Sequence, residues 1–147
     1  MLDEFAREEK VVDSVPSGLL IGGAWRPAES GATFAVEDPS TGRVLAQVAD
    51  ASPTDGMLAL EAAAKAPTSW AAVPPRERSD ILRRAYDLLL ERKEDLALLM
   101  TLEMGKPLAE ARGEIVYAAE FFRWFSEEAV RIDGGFGSPP MARVVCW

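Results

Sequence analysis

Two long amphipathic segments, joined by Met104-Gly105-Lys106-Pro107, constrain the fold of this chain more than any other feature. On both sides of the joint, apolar residues recur every three or four positions, as they do on one face of an α-helix. Gly105 suits the left-handed conformation just beyond a helix end, because it has no Cβ to clash there. Pro107 suits the first turn of the next helix, where its missing N–H is no loss. The pattern predicts two helices connected by a sharp turn.

The apolar positions also predict which face of each helix is buried. Before the joint the face consists of Ile81, Leu82, Ala85, Leu88, Leu89, Leu96, Leu99 and Met100. After the joint it consists of Leu108, Ala111, Ile115, Ala118, Phe122, Phe125, Ala129 and Ile132. We expect the first helix to run from 74 to 104 with a bend at 92–95. The second is expected to run from 107 to about 132, with the glycines at 134, 135 and 137 beyond it.

The first fifty residues predict an arm followed by short strands. Residues 1–17 are charged and indicate a short helix or a loose arm, and 18–50 indicate a β meander. Gly22-Gly23 lies between two short apolar runs and predicts a tight turn, since glycine adopts positive φ at little cost. In Asp38-Pro39-Ser40-Thr41-Gly42 the aspartate can bond back to the backbone, which predicts a second turn between strands.

A third helix is predicted after the meander. Ser52 and Asp55 have the spacing of a capping box, with Pro53 as the first helical residue. We expect this helix to end at about Lys65, before Pro67, and Trp70 to pack in the loop that follows. The predicted helical region covers 51–133, and a tail covers 134–147.

Composition excludes several classes of protein. The net charge is −8 and no basic stretch is present, which argues against nucleic acid or an anionic membrane as a partner. The chain contains no histidine, so histidine-dependent triads and histidine metal sites are excluded. Its one cysteine, Cys146, cannot form an internal disulfide, which fits a cytoplasmic protein. No run is long and apolar enough to predict a membrane-spanning helix.

The joint and its surroundings also resemble a known family. The residues that carry the resemblance are Thr101-Leu102-Glu103-Met104-Gly105-Lys106-Pro107-Leu108-Ala109-Glu110-Ala111, followed by Gly113 to Glu120 and by Trp124-Phe125. They are similar to the aldehyde dehydrogenase superfamily, in particular its succinate-semialdehyde branch. The resemblance covers roughly 19–135. It implies the N-terminal portion of an α/β fold, here mostly α-helical, with three to four helices and a short N-terminal β meander.

The resemblance implies oxidation of an aldehyde, succinate semialdehyde in 4-aminobutyrate degradation, to an acid with NAD or NADP. In the family, the nucleophilic cysteine, the general base and the dinucleotide site lie in later segments. We therefore expect no catalytic and no cofactor-binding residue in this chain, an incomplete fold with a truncated or altered tail, and no activity from the chain alone. Cys146 has no base near it in sequence and is interpreted as incidental.

The resemblance also implies one metal site. In related enzymes the acid that aligns with Glu103 and a backbone carbonyl that aligns with Val36 help to hold a monovalent cation. A third group comes from a later segment, so an incomplete site is expected here. The other glutamates of the last helix are interpreted as a solvated face, with Glu127 and Arg131 at the spacing of an ion pair.

The last helix carries an aromatic cluster, Phe121, Phe122, Trp124 and Phe125. A cofactor site is one interpretation, but core and interface packing are far more common uses of such clusters. In the family this helix packs against the dinucleotide-binding domain. We expect self-association or docking to a full-length subunit if that cover is missing. The alternative hypothesis is a non-catalytic helical module that binds a partner through this helix.

Overall fold

The computed structural model describes the backbone of residues 2–132, 136–137 and 145–146, and the side chains of residues 5–132. This part of the chain contains five helices: α1 (Leu2–Asp13), α2 (Pro53–Ala72), α3 (Pro75–Glu91), α4 (Lys93–Met104) and α5 (Leu108–Glu128). It contains six short strands: β1 (Leu19–Ile21), β2 (Ala24–Arg26), β3 (Thr33–Glu37), β4 (Val44–Ala49), β5 (Phe136–Gly137) and β6 (Val145–Cys146). The mostly helical architecture with an N-terminal meander is confirmed, with more helices than the three to four expected.

The meander consists of two antiparallel hairpins. β1 pairs with β2 around Gly22 and Gly23, whose φ angles of 61° and 82° confirm the predicted turn. β3 pairs with β4, and the turn between them is organised by Asp38. The Ser40 N–H donates to one Asp38 carboxylate oxygen at 2.8 Å, and the Thr41 hydroxyl donates to the other at 2.8 Å. β5 pairs with β6, and the rest of 133–147 lies outside the described residues.

The capping box of α2 is present, but the predicted end of this helix is wrong. The Asp55 N–H donates to Ser52 Oγ at 3.3 Å, and the Ser52 N–H donates back to Asp55 Oδ2 at 2.9 Å. The helix continues through Pro67 to Ala72, so Trp70 is helical and does not lie in a loop. Alanines dominate the turns around Pro67 and strongly favour helix, which offsets the backbone hydrogen bond that the proline removes.

The bend expected at 92–95 is a break between two helices. Arg92 has φ −94° and ψ 10°, which ends α3 and begins α4. At the joint, Gly105 has φ 71° and its N–H donates to the Thr101 carbonyl at 2.9 Å, as predicted for a left-handed helix end. Pro107 is the residue before the first turn of α5, one position earlier than expected. The helix ends at Glu128, before Ile132.

Small side chains form the core between α4 and α5. Ala97, Ala111 and Ile115 are buried together, with Leu96, Met100 and Leu108 packed around them. The buried face of α5 differs in part from the prediction, because Ala119 is fully buried whereas Ala118, Phe122 and Phe125 are exposed. α5 packs against both α3 and α4. Alanine at the contacts lets these helices approach closely, so the buried face follows the alanines at 111 and 119 and excludes the phenylalanines.

Candidate functional site

The two residues of the predicted cation site lie around the same cavity. Val36 is on β3, opposite Ala46 of β4, and Glu103 is in the last turn of α4. Both line a cavity of about 40 Å³, whose other walls include Leu45 and Leu99. A cavity of roughly 10–15 Å³ by the same measure already holds one water, so this one has room for a small ion or a few waters.

A β-bulge shapes the strand side of this cavity. Val36 is opposite Ala46 but Glu37 is opposite Val44, so Leu45 is an extra residue in β4. Bulges interrupt the ladder of backbone hydrogen bonds and redirect neighbouring side chains. Leu45 accordingly reaches the cavity wall. Val36 and Glu103 thus border one small cavity. Hard cations prefer oxygen donors such as carboxylates and backbone carbonyls.

The donors present around this cavity do not complete a metal site. Within residues 5–132, no three Asp, Glu, Cys or His side chains come together in a way that could hold a metal ion. Glu103 is exposed and forms no ion pair among the described side chains. A cation bound here would need further oxygen donors from water or another segment. The metal role of Val36 and Glu103 stays a prediction.

Ion pairs connect α5 to α4, the helix that carries Glu103, and to the joint that follows it. Arg112 of α5 donates from Nε to Oε1 of Glu94 in α4 at 3.1 Å and from Nη2 to Oε2 at 2.8 Å, a bidentate pair. These hydrogen bonds lower the pKa of Glu94 and raise that of Arg112. Lys106, at the joint, forms an ion pair with Glu114 of α5. The joint is therefore fixed on both sides of Gly105.

The second candidate site is the aromatic surface, which we define as Tyr117, Phe121, Phe122, Trp124 and Phe125. The exposed fractions of these side chains range from 39% for Phe122 to 68% for Tyr117. Tyr117 and Phe121 meet edge to face with ring centroids 5.1 Å apart. Together with Glu120, four of the five line an open hollow of about 440 Å³. The sequence interpretation missed Tyr117, although its spacing of four residues from Phe121 is a helical signal.

Charged pairs line one side of the aromatic surface. Arg123 contacts Glu120 at 2.5 Å and Glu127 at 3.8 Å. Arg131 pairs with Glu128 at 2.7 Å, so the expected pair between Glu127 and Arg131 is wrong. Arg123 lies four residues before Glu127, which is also the spacing of a helical ion pair, and it pairs with that carboxylate in place of Arg131. The interpretation of these glutamates as a solvated, ion-paired face is otherwise consistent with their exposure.

The described residues contain no glycine-rich loop between a strand and the start of the following helix. Phosphate-binding loops place glycines between a strand and the start of a helix. The glycines with positive φ are instead Gly22, Gly23, Gly31 and Gly42, in the β region, and Gly105, at a helix end. Cys146 lies in β6, and its side chain is outside the described residues. None of the described helices combines the length and the hydropathy required to cross a bilayer.

Comparison with known proteins defines the class. A profile of the aldehyde dehydrogenase family matches residues 25–144. This chain belongs to the aldehyde dehydrogenase family. It is 62% identical over 97 residues to succinate-semialdehyde dehydrogenase of Paenarthrobacter nicotinovorans, a match that covers 66% of this chain and 22% of the relative. It is 46% identical over 127 residues to glutarate-semialdehyde dehydrogenase of Pseudomonas aeruginosa, a match that covers 85% of this chain and 26% of the relative.

Solved structures agree with this assignment. The crystal structure of succinate-semialdehyde dehydrogenase from Burkholderia pseudomallei matches with a TM-score of 0.77 and 48% identity. That match covers 82% of this chain and 25% of the solved chain. The chain thus spans about a quarter of the length of the relatives it matches. It has part of the aldehyde dehydrogenase fold.

Proposed function

We propose that this chain is the N-terminal part of an NAD(P)-dependent semialdehyde dehydrogenase that oxidises succinate semialdehyde to succinate. The observation that supports this most is the similarity to succinate- and glutarate-semialdehyde dehydrogenases. Both names denote an aldehyde with a carboxylate at its far end. The enzyme would act in the cytoplasm, consistent with a single cysteine, and fractionation of the native cells would test that location.

Within that enzyme, the chain supplies a helical platform and not the chemistry. We assign no residue of this chain as nucleophile, base or dinucleotide ligand, and we derive no step that uses the cofactor. The aromatic surface is the docking face of the platform. About half of the surface of each ring is left in water, and its burial by another segment would be worth roughly 1–2 kcal/mol a ring.

A complementation experiment tests this role. The purified chain should form no NADH or NADPH from succinic semialdehyde, whereas adding the remaining three quarters of a relative should restore turnover. Trp124→Glu should reduce the restored rate by at least about tenfold, because a buried unpaired carboxylate is costly. Phe34→Glu, on a similarly exposed ring of β3, is the control. Turnover by the purified chain alone would contradict the proposal that this chain supplies a helical platform and not the chemistry.

The second candidate is a non-catalytic module that self-associates or binds a partner through the aromatic surface. The exposure of five neighbouring rings favours it. Light scattering and a hydrophobic dye separate the candidates. Self-association that Trp124→Glu removes, combined with no complementation, would favour the module. A monomeric chain that does not bind the dye would exclude the aromatic surface as a docking face.

We also propose that Val36 and Glu103 contribute to a monovalent cation site. The support is their position around one cavity and the oxygen chemistry that they present. A higher unfolding temperature in KCl than in the chloride of a large organic cation, lost in Glu103→Gln, is the expected result. An identical temperature in both salts would contradict the site.

A further inference from the structure

We propose that Asp55-Gly56 is a site of isoaspartate modification, that the cap of α2 keeps it unreacted, and that the modification removes the contact of Asp55 with the meander. Aspartate followed by glycine is prone to this reaction, because glycine has no side chain to hinder attack by its own amide nitrogen. The chain has two such pairs, and the other, Asp133-Gly134, lies outside the described residues. Asp55-Gly56 lies in the first turn of α2.

The reaction reroutes the main chain and needs only water as a co-reactant. The Gly56 nitrogen attacks Cγ of the protonated Asp55 carboxyl, and the carboxyl O–H group leaves as water with the amide proton. The product is a succinimide ring, which water opens again. Breaking the bond from nitrogen to Cγ regenerates aspartate. Breaking the bond from nitrogen to the former main-chain carbonyl gives isoaspartate, in which the main chain passes through Cβ and Cγ.

The folded start of α2 restrains both reacting groups. The Gly56 N–H donates to the Ser52 carbonyl at 3.1 Å. Asp55 is buried, and its carboxylate accepts from the Ser52 N–H at 2.9 Å and from the Glu29 N–H at 3.2 Å. The hydrogen bond from the Ser52 N–H is the largest cause of a lowered pKa of Asp55, so the protonated carboxyl is rarer than in an open chain. Ring closure also needs a ψ angle far from the helical value of about −42°. Reaction therefore requires this turn to open.

The first turn of α2 depends on its cap more than on packing. Asp55 is the one buried residue of the helix. A Cβ built on Gly56 would meet nothing within 4 Å, and glycine inside a helix lowers its stability. Helix ends open more readily than packed cores. Isoaspartate lengthens the main chain by a methylene and moves the carboxylate onto Cα, so it cannot rebuild the contacts with Ser52 and Glu29. Reaction in the open state thus makes the loss of the cap permanent.

The test measures isoaspartate at position 55 during prolonged incubation at neutral pH, by peptide mapping with electron-transfer fragmentation. The parent chain in guanidinium chloride gives the unprotected rate, and the folded parent should react at least about tenfold more slowly. Ser52→Ala should raise the folded rate roughly fivefold, as expected for a typical lost N-cap. Ser52→Thr keeps a capping hydroxyl and should keep the slow rate. Ser69→Ala, which removes a hydroxyl farther along α2, is the control and should change nothing.

Further measurements keep the outcomes distinct. Adding Gly56→Ala to Ser52→Ala should nearly abolish the reaction, because the methyl group hinders the attacking nitrogen; an undiminished rate overturns the proposed chemistry. Asp133-Gly134 is an internal reference, and an equal rise at both pairs in Ser52→Ala would indicate general unfolding and overturn control by the cap.

A folded parent that reacts as fast as the denatured chain, or no response to Ser52→Ala, also overturns control by the cap. Hydrogen exchange of the chain modified at position 55 should rise in the first turns of α2 and not in α5. Unchanged exchange in α2 would overturn the loss of the contact between Asp55 and the meander.

Discussion

The α4–α5 pair and α2 are helical regions of this chain that are held in different ways. The pair buries Ala97, Ala111 and Ile115 and is braced by the bidentate contact between Glu94 and Arg112. Along the whole of α2 the one buried residue is Asp55. A helix can thus be specified by packing or by its own end and composition. The first kind should be sensitive to changes at its buried positions, and the second should depend on its cap.

The largest expected effect is on the packed region. Ala119→Leu places a large side chain where the alanine is fully buried, and overpacking should cost about 1–3 kcal/mol of unfolding free energy. Ala118→Leu is the control, since that neighbouring position is exposed. Chemical denaturation should show a lower midpoint for the first variant and almost none of that change for the second. Equal losses would mean that the buried face of α5 is assigned wrongly.

A smaller effect is expected at the joint. Gly105→Val should destabilise by at least about 1–2 kcal/mol, because a β-branched residue is strained at φ 71°. A Cβ at this position would also lie 3.2 Å from Pro39 Cγ. Gly113→Ala is the control, since a Cβ there meets nothing within 4 Å and should stabilise the helix slightly. A midpoint unchanged in Gly105→Val would contradict the left-handed conformation.

The smallest expected effect is a difference between α2 and α5 in the pH at which each helix opens. Hydrogen bonds from the Ser52 and Glu29 N–H groups lower the pKa of Asp55 below its ordinary 3.8. Its contribution is therefore present above that pH and is lost as the pH falls through the lower folded value. Hydrogen exchange should show α2 opening before α5 on acidification, and Asp55→Asn should open α2 already at neutral pH. Simultaneous opening of both helices would remove the distinction.

The sequence predicted best those features that few neighbouring residues decide. The Ser52–Asp55 cap, the turn at Gly22 and the left-handed Gly105 were all predicted, because each depends on local backbone chemistry. The end of α2 was not, because alanine propensity on both sides of Pro67 outweighs the proline. Nor was the position of Ala119 in the core, since the orientation of a helix depends on the neighbours against which it packs.

The candidate site was predictable to a different degree. Val36 and Glu103 were paired by family resemblance; both line one cavity, and their role in binding a cation stays a prediction. That Val12 of α1 also lines this cavity could not be inferred, because the position of α1 involves contacts between residues far apart in sequence, such as Arg43 with Glu8, which are 35 positions apart. The aromatic surface was found from its composition, but Tyr117 was missed.

The approach of Gly105 to Pro39 has a consequence for the order of folding. The two residues are far apart in sequence, whereas the hairpin and the α4–α5 pair can each form from nearby contacts. Closing the long loop between them has an entropic cost that precedes any gain from the contact. The contact should therefore form after the transition state. Changes at Pro39 that weaken this contact should then mainly accelerate unfolding and leave the folding rate almost unaltered, so they would shorten the lifetime of the folded molecule.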